Sequence, residues 1–181
     1  MNVLYWNCQC LTNSSTINAL HRHNQIHKPM LIGISELKSS FSLGFSGLNK
    51  FGFRLVSTNG SNGECESFWV LLHSSIGTVD IISINEQVIS CSFHWQSEMM
   101  VVSFDYSKIR YQDRRSMWKE LDNFRGISSP WFIVGDFHSN LYSCDKMCPV
   151  HSQSSLKELK GCVDDNDLTE VSLVGAKYTW H

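Results

Sequence analysis

Short apolar runs, separated by polar and turn-forming stretches, dominate the chain. "MNVLYWN" at the start alternates loosely and reads as an opening strand. "STINALHRHNQIH" then places Ile17, Leu20 and Ile26 near helical spacing, with Ser15 or Thr16 as the expected cap and Pro29 as the stop. "MLIGISE" is a second strand-like run, and "FGFRLVSTNGSNGECESFWVLLH" reads as two strands around a turn carrying Asn59-Gly60 and Asn62-Gly63. "VDIISINEQVISCSFH" and "EMMVVSFDY" continue the strand pattern. "DRRSMWKELDNF" puts Met117, Leu121 and Phe124 on one helical face, with Trp118 beside them. "WFIVGDF" is again a strand. "SSLKELKGCVDDNDL" predicts a helix, with Ser155 and Glu158 at capping-box spacing and Leu156, Leu159 and Val163 along one face. "AKYTW" predicts a short terminal strand. Strands and helices are intermixed without strict βαβ alternation, which predicts an α+β domain of layered sheets with helices outside.

Three of the apolar runs end on a polar side chain. "VLYWN" ends at Asn7, "LIGISE" at Glu36 and "WFIVGD" at Asp136. Gathered at one mouth of a sheet, two carboxylates and an amide suit a hard, oxygen-preferring cation such as Mg2+. The same pattern also fits three ordinary strand exits.

Composition narrows the possibilities. The 181 residues are enough for one domain with a sizeable core, and 42% of them are hydrophobic. The formal net charge is −2, which argues against strong nonspecific nucleic-acid binding while leaving room for a local patch. The start has no basic, signal-like region, and no run approaches the roughly 18 apolar residues of a membrane span. Seven cysteines, an odd number, read as reduced thiols. Cys8 with Cys10, and Cys144 with Cys148, have poor spacing for zinc and no completing histidine pattern; a zinc-binding module is the weaker reading.

The residues around these strand ends carry a resemblance. "VLYWNCQCL", "ISELK", "FDYSKIRYQDRRSMW" and "WFIVGDFHS" resemble, in order and spacing, four blocks of the endonuclease/exonuclease/phosphatase family. "PWFIVGDF", "SQSSLKELKGCVDDNDL" and "GAKYTWH" resemble more narrowly the endonuclease domain of plant LINE-type (non-LTR) retrotransposon proteins, which precedes a reverse transcriptase in one polyprotein. The resemblance covers nearly the whole chain, residues 1–181, as a single domain. It implies a four-layered α/β/β/α sandwich of the DNase I-like type and cleavage of a DNA phosphodiester with Mg2+, or Mn2+ in its place. It also implies roles. Glu36 ligates the metal and Asn7 helps orient that site; Tyr106 hydrogen-bonds the scissile phosphate; Asp136 aligns or deprotonates the attacking water.

The chain departs from the family pattern in places. The family's G-D-F-N block reads "GDFH", so His138 stands at a catalytic position where an amide would offer a donor and an acceptor together. The family's later Asp-His block lies beyond "KYTWH", which implies a domain incomplete at its carboxyl end, lacking its last strands. A positioned acid–base group contributes about 10²–10⁴-fold in rate, so its loss implies weakened or absent catalysis. Glu66-Ser67 and Met147-Cys148 stand where the family has glycines. Two readings follow: a Mg2+-dependent DNA endonuclease domain derived from a LINE-type element, nuclear if functional, or a non-catalytic remnant of the same fold. A phosphatase acting on inositol phospholipids or nucleotides is a further alternative within the fold.

Overall fold

Among the residues described, the apolar runs become eight strands in two four-stranded sheets. A computed structural model of the chain describes residues 1–11, 13–38, 48–60, 68–145 and 153–175. In the first sheet β1 (Val3–Asn7) lies parallel to β2 (Leu31–Ser35). β4 (Phe68–His73) runs antiparallel between β2 and β3 (Phe53–Thr58), giving the order β1-β2-β4-β3. The second sheet is ordered β5 (Asp80–Ile84), β6 (Val88–Trp95), β7 (Glu98–Tyr106), β8 (Trp131–Asp136). Its first three strands form an antiparallel meander. The Val101 N–H donates to the Pro130 carbonyl at 2.9 Å and the Ser107 N–H to the Asp136 carbonyl at 3.0 Å. Both bonds advance in the same direction along the two chains, so β8 runs parallel to β7.

The chain divides into two compact units. The first, Met1–Tyr106 with Ser129–Gly135, contains the bodies of both sheets. Its core follows the two-residue period of a strand. On β4, Phe68, Val70 and Leu72 join Leu31 against Ile89, Cys91, Phe93, Met100, Val102 and Phe104 of the second sheet. The alternate residues Trp69 and Leu71 pack the other face with Ile32, Ile34, Leu48 and Leu20 of α1 (Ser14–His27). Burial on both faces explains why "FWVLL" reads as a continuous apolar run rather than an alternating one. Gly33 is required where the sheets meet, because a Cβ there would lie 2.4 Å from the ring of Phe104.

The start of α1 differs from the expected cap. Asn13, not Ser15 or Thr16, is the capping residue, and its side chain accepts from the Ser15 N–H at 3.1 Å. An extended Asn one residue ahead of the serines satisfies the first free donor, so the serines are drawn into the first turn. Leu20 is buried, while Ile26 is 59% exposed and does not join the core face. Lys28, in the left-handed conformation, closes the helix by donating its N–H to the Asn24 carbonyl, and Pro29 prevents continuation.

The second unit comprises Ser107–Ser128 and Asp136–His181. A single 3-10 turn, Tyr111–Arg114, leads into α2 (Arg115–Asp122), which buries Met117, Trp118 and Leu121. The Trp118 ring stacks on Phe137 with centroids 6.3 Å apart. α3 (Gln153–Asp165) buries Leu159 and Cys162. The end of α3 is tied to α2 by Asn166, whose Nδ2 donates to Asp122 Oδ1 at 3.1 Å. The expected capping box does not form. Ser155 lies inside α3, its hydroxyl engaged by Arg114 and Ser139, and Glu158 accepts from Arg115 Nε at 3.0 Å instead. The expected turn at Asn62-Gly63, the pairs Glu66-Ser67 and Met147-Cys148, and the terminal "AKYTW" strand lie outside the described residues.

Candidate functional site

Asn7 and Glu36 meet because β1 and β2 are parallel and in register. Asn7 pairs with Ser35, so both chains leave the sheet at the same end, and the next residue on β2's side is Glu36. Carboxyl ends of parallel strands are common sites for ligands. Asn7 Nδ2 donates to Glu36 Oε1 at 2.7 Å, in a partly buried position. The Cys8 N–H extends the pairing by donating to the Ser35 carbonyl at 3.1 Å, and the Tyr5 hydroxyl donates to Ser35 Oγ at 2.8 Å. Glu36 itself has φ +56°, a left-handed conformation that costs a non-glycine residue about 1–3 kcal/mol. That turn, taken directly after the last strand residue, goes with the carboxylate that Asn7 bonds. Lys38 Nζ lies 3.8 Å from Glu36 Oε2. Cys8 packs alongside, and burial pushes its thiol up to about 11, so it is a neutral neighbour at ordinary pH.

The donor set decides which cation would fit. One carboxylate and one amide oxygen are hard donors, and Mg2+ takes one or two carboxylates while keeping several waters. Glu36 and Asn7 fit that pattern. Among the described residues, no three or more His, Cys, Asp or Glu side chains are grouped to hold a metal. Of the thiols, Cys8, Cys91 and Cys162 are buried, and burial alone pushes Cys91 up to about 12. Cys10 is partly buried and Cys144 exposed, and Cys65 and Cys148 lie outside the described residues.

Tyr106 ends β7. Its N–H donates to the Gln87 carbonyl at 2.8 Å, and its ring tilts against Phe68 with centroids 6.5 Å apart, at the margin of the inter-sheet core.

Asp136 ends β8 in the second unit. The strand reaches this point through Gly135, where a Cβ would lie 2.1 Å from the Asp105 carbonyl oxygen; only glycine permits so close an approach of β8 to β7. The His138 N–H donates to Asp136 Oδ1 at 3.3 Å, and His138 Nδ1 lies 3.6 Å from the same oxygen, within ion-pair reach but beyond a hydrogen bond. His138 also adopts a left-handed conformation, with φ +45°. The structure therefore brings together Asn7 with Glu36 in one unit and Asp136 with His138 in the other.

Arg114 is the residue that sequence reasoning missed. It is 1% exposed. Its guanidinium donates to the carbonyls of His138 at 2.8 Å, Ile109 at 3.2 Å and Lys108 at 3.3 Å, and also to Ser155 Oγ. Ser139 Oγ completes the network against Ser155, 2.9 Å from its hydroxyl and 3.1 Å from its carbonyl oxygen. One buried side chain thus fixes the segment after β7, the loop that follows Asp136 and the first turn of α3. The available signal was the tandem Arg114-Arg115 at the head of an amphipathic helix. Its two members divide: Arg115 is exposed and pairs with Glu158 at 2.9 Å, while Arg114 turns inward.

No protein-family model matches the chain, and no curated protein matches it. Solved structures do match in fold. An AP endonuclease from Archaeoglobus fulgidus superposes with a TM-score of 0.69 at 14% identity, over 91% of this chain and 70% of that one. The endonuclease domain of TRAS1, a telomere-specific non-LTR retrotransposon, gives 0.66 at 12% identity, over 90% and 70%. The 3′ phosphatase NExo from Neisseria, solved bound to a product DNA hairpin, gives 0.66 at 13% identity, over 89% and 70%. The α+β arrangement of this chain is therefore the DNase I-like fold, and its structural neighbours are proteins of the endonuclease/exonuclease/phosphatase type.

Proposed function

We propose that this chain is a Mg2+-dependent phosphodiesterase domain of the endonuclease type, with DNA as substrate and Mn2+ able to replace Mg2+. The observation that carries the reading is the 2.7 Å bond between Asn7 and Glu36 at the shared end of two parallel strands, within a DNase I-like fold. Glu36 and Asn7 would hold the metal, which when bound neutralises charge developing on the phosphoryl oxygens. Asp136 takes the proton of the attacking water as the new P–O bond forms and the bond to the leaving oxygen breaks. The leaving oxygen collects its proton from solvent. The Tyr106 hydroxyl donates to a phosphoryl oxygen. His138 takes the position next to Asp136 with an imidazole. DNA as substrate is supported by the structural neighbours, one solved bound to a product DNA hairpin and one the endonuclease domain of a non-LTR retrotransposon. Origin in a plant LINE-type element, with a reverse transcriptase on the same polyprotein and action in the nucleus, rests on the sequence blocks "PWFIVGDF" and "SQSSLKELKGCVDDNDL".

A second reading is a non-catalytic member of the same fold. It is favoured by His138, whose neutral ring carries its one donor and one acceptor on different sides rather than side by side as in an amide. Nicking of supercoiled plasmid with Mg2+, with and without Asp136→Ala, separates the two readings.

A further inference from the structure

α1 carries three histidines in its last two turns, and two of them stack on one another. His23 and His27 are four residues apart, one above the other on the helix. Their rings are nearly parallel, at 16°, with centroids 5.7 Å apart. His21 is engaged differently: its Nε2 lies 3.3 Å from Gln25 Nε2 and its ring stacks on Phe51 at 4.5 Å. Among the described residues, no group hydrogen-bonds to the ring nitrogens of His23 or His27. The Asn2 side chain donates to the His27 carbonyl at 2.6 Å and anchors this end of the helix to the start of β1. Trp6 of β1 lies beside His23, ring centroids 6.0 Å apart.

We propose that His23 and His27 form a metal site for a borderline divalent transition-metal ion such as Ni2+ or Cu2+. This site is independent of the phosphodiesterase reading. Two imidazoles at i, i+4 on one helical face are a recurring metal-ligating arrangement. Imidazole suits Ni2+, Cu2+ and Zn2+, whereas Mg2+ prefers oxygen. The site lies in the last turns of α1, where the negative end of the helix dipole favours a cation. The exposed Arg22 and Lys28 oppose it. With two protein ligands, the remaining coordination positions belong to water, so the site is open and exchangeable. The donor chemistry separates it from Glu36 and Asn7: nitrogen donors here, oxygen donors there.

The test is calorimetric titration of the full chain with Ni2+, chosen because it does not oxidise the free thiols as Cu2+ would, with tryptophan fluorescence read in parallel. One saturable site is expected, unaffected by millimolar Mg2+. His23→Gln and His27→Gln should each weaken it by roughly 10²-fold, the lower end of the gain from joining two weak ligands. The exposed His94→Gln should leave it unchanged. Circular dichroism checks that α1 persists in each variant. Trp6→Phe should keep the Ni2+ uptake but remove most of the fluorescence change. Unaltered affinity in the doubly substituted chain, no saturable uptake, or a fluorescence change that survives Trp6→Phe would each overturn the assignment.

Discussion

Asn7 Nδ2 lies 2.7 Å from Glu36 Oε1, although 29 residues separate the two in sequence. The register of two parallel strands places the amide where it orients the carboxylate. Glu36→Gln is expected to abolish Mg2+-dependent activity. Asn7→Ala is expected to lower apparent Mg2+ affinity about 10–100-fold, the usual cost of removing a group that orients a ligand. Lys38→Gln, which removes the ammonium 3.8 Å from Glu36, should raise that affinity modestly. Activity titrated against Mg2+ for the three variants checks all of these.

Asp136 accepts the His138 N–H and ends the strand that Gly135 allows to approach β7. If it activates the attacking water, Asp136→Asn lowers the rate of DNA nicking by about 10²–10⁴-fold with little change in apparent Mg2+ affinity. His138→Asn, which restores an amide beside it, is expected to raise the rate. A steady-state comparison of the two variants reads both effects.

Gly33 and Gly135 carry no chemistry and are held by space alone. Gly135→Ala would press a Cβ into the Asp105 carbonyl, and Gly33→Ala into the buried Phe104 ring. Each should destabilise the fold by about 1–3 kcal/mol, the usual cost of overpacking. Gly135→Ala is expected at the upper end, because its obstacle is backbone rather than a side chain. Denaturant melts give both values.

Arg114 is expected to be less replaceable than its neighbour. Arg114→Met would take the charged donor from the partly buried carbonyls of Lys108, Ile109 and His138, and should destabilise the fold by about 1–3 kcal/mol. Arg115→Met should cost less than about 1 kcal/mol, since its partner pairing is at the surface. Thermal melts of the two variants side by side make the comparison.

Burial raises the thiols of Cys8 to about 11 and Cys91 to about 12, from an ordinary 9.0. A group whose proton is held more tightly when folded stabilises fully below its unfolded value. That contribution is lost as the pH climbs from 9.0 through the folded values. Melting temperature should therefore fall across this range, and Cys91→Val should fall less steeply than the unaltered chain. Equal slopes would show that Cys91 does not contribute.

The fold was legible wherever burial demands a short apolar run or a helical period. "VLYWN", "LIGIS", "FWVLL" and "WFIVGD" all become strands, and the Met117–Leu121 face becomes the buried side of a helix. Helix starts were less legible, because capping depends on which polar side chain reaches a free N–H first. Asn13 does so ahead of Ser15. Ser155, with the right spacing for a cap, is instead taken up by a distant arginine. The strand-end residues Asn7 and Glu36 were legible as types, but their meeting depends on parallel register, which no local pattern encodes. Arg114 was legible only as a charge on a helix. Its burial reflects carbonyl groups from two separate segments and the Ser155 hydroxyl from a third, a property of the folded chain.

The most direct test of the central claim is nicking of supercoiled plasmid by the purified, folded chain in Mg2+, beside Glu36→Gln and Asp136→Ala. The account predicts nicking that disappears with EDTA and in both variants. No nicking by the folded chain, or equal nicking by all three proteins, would contradict it and leave the DNase I-like fold without the proposed catalysis.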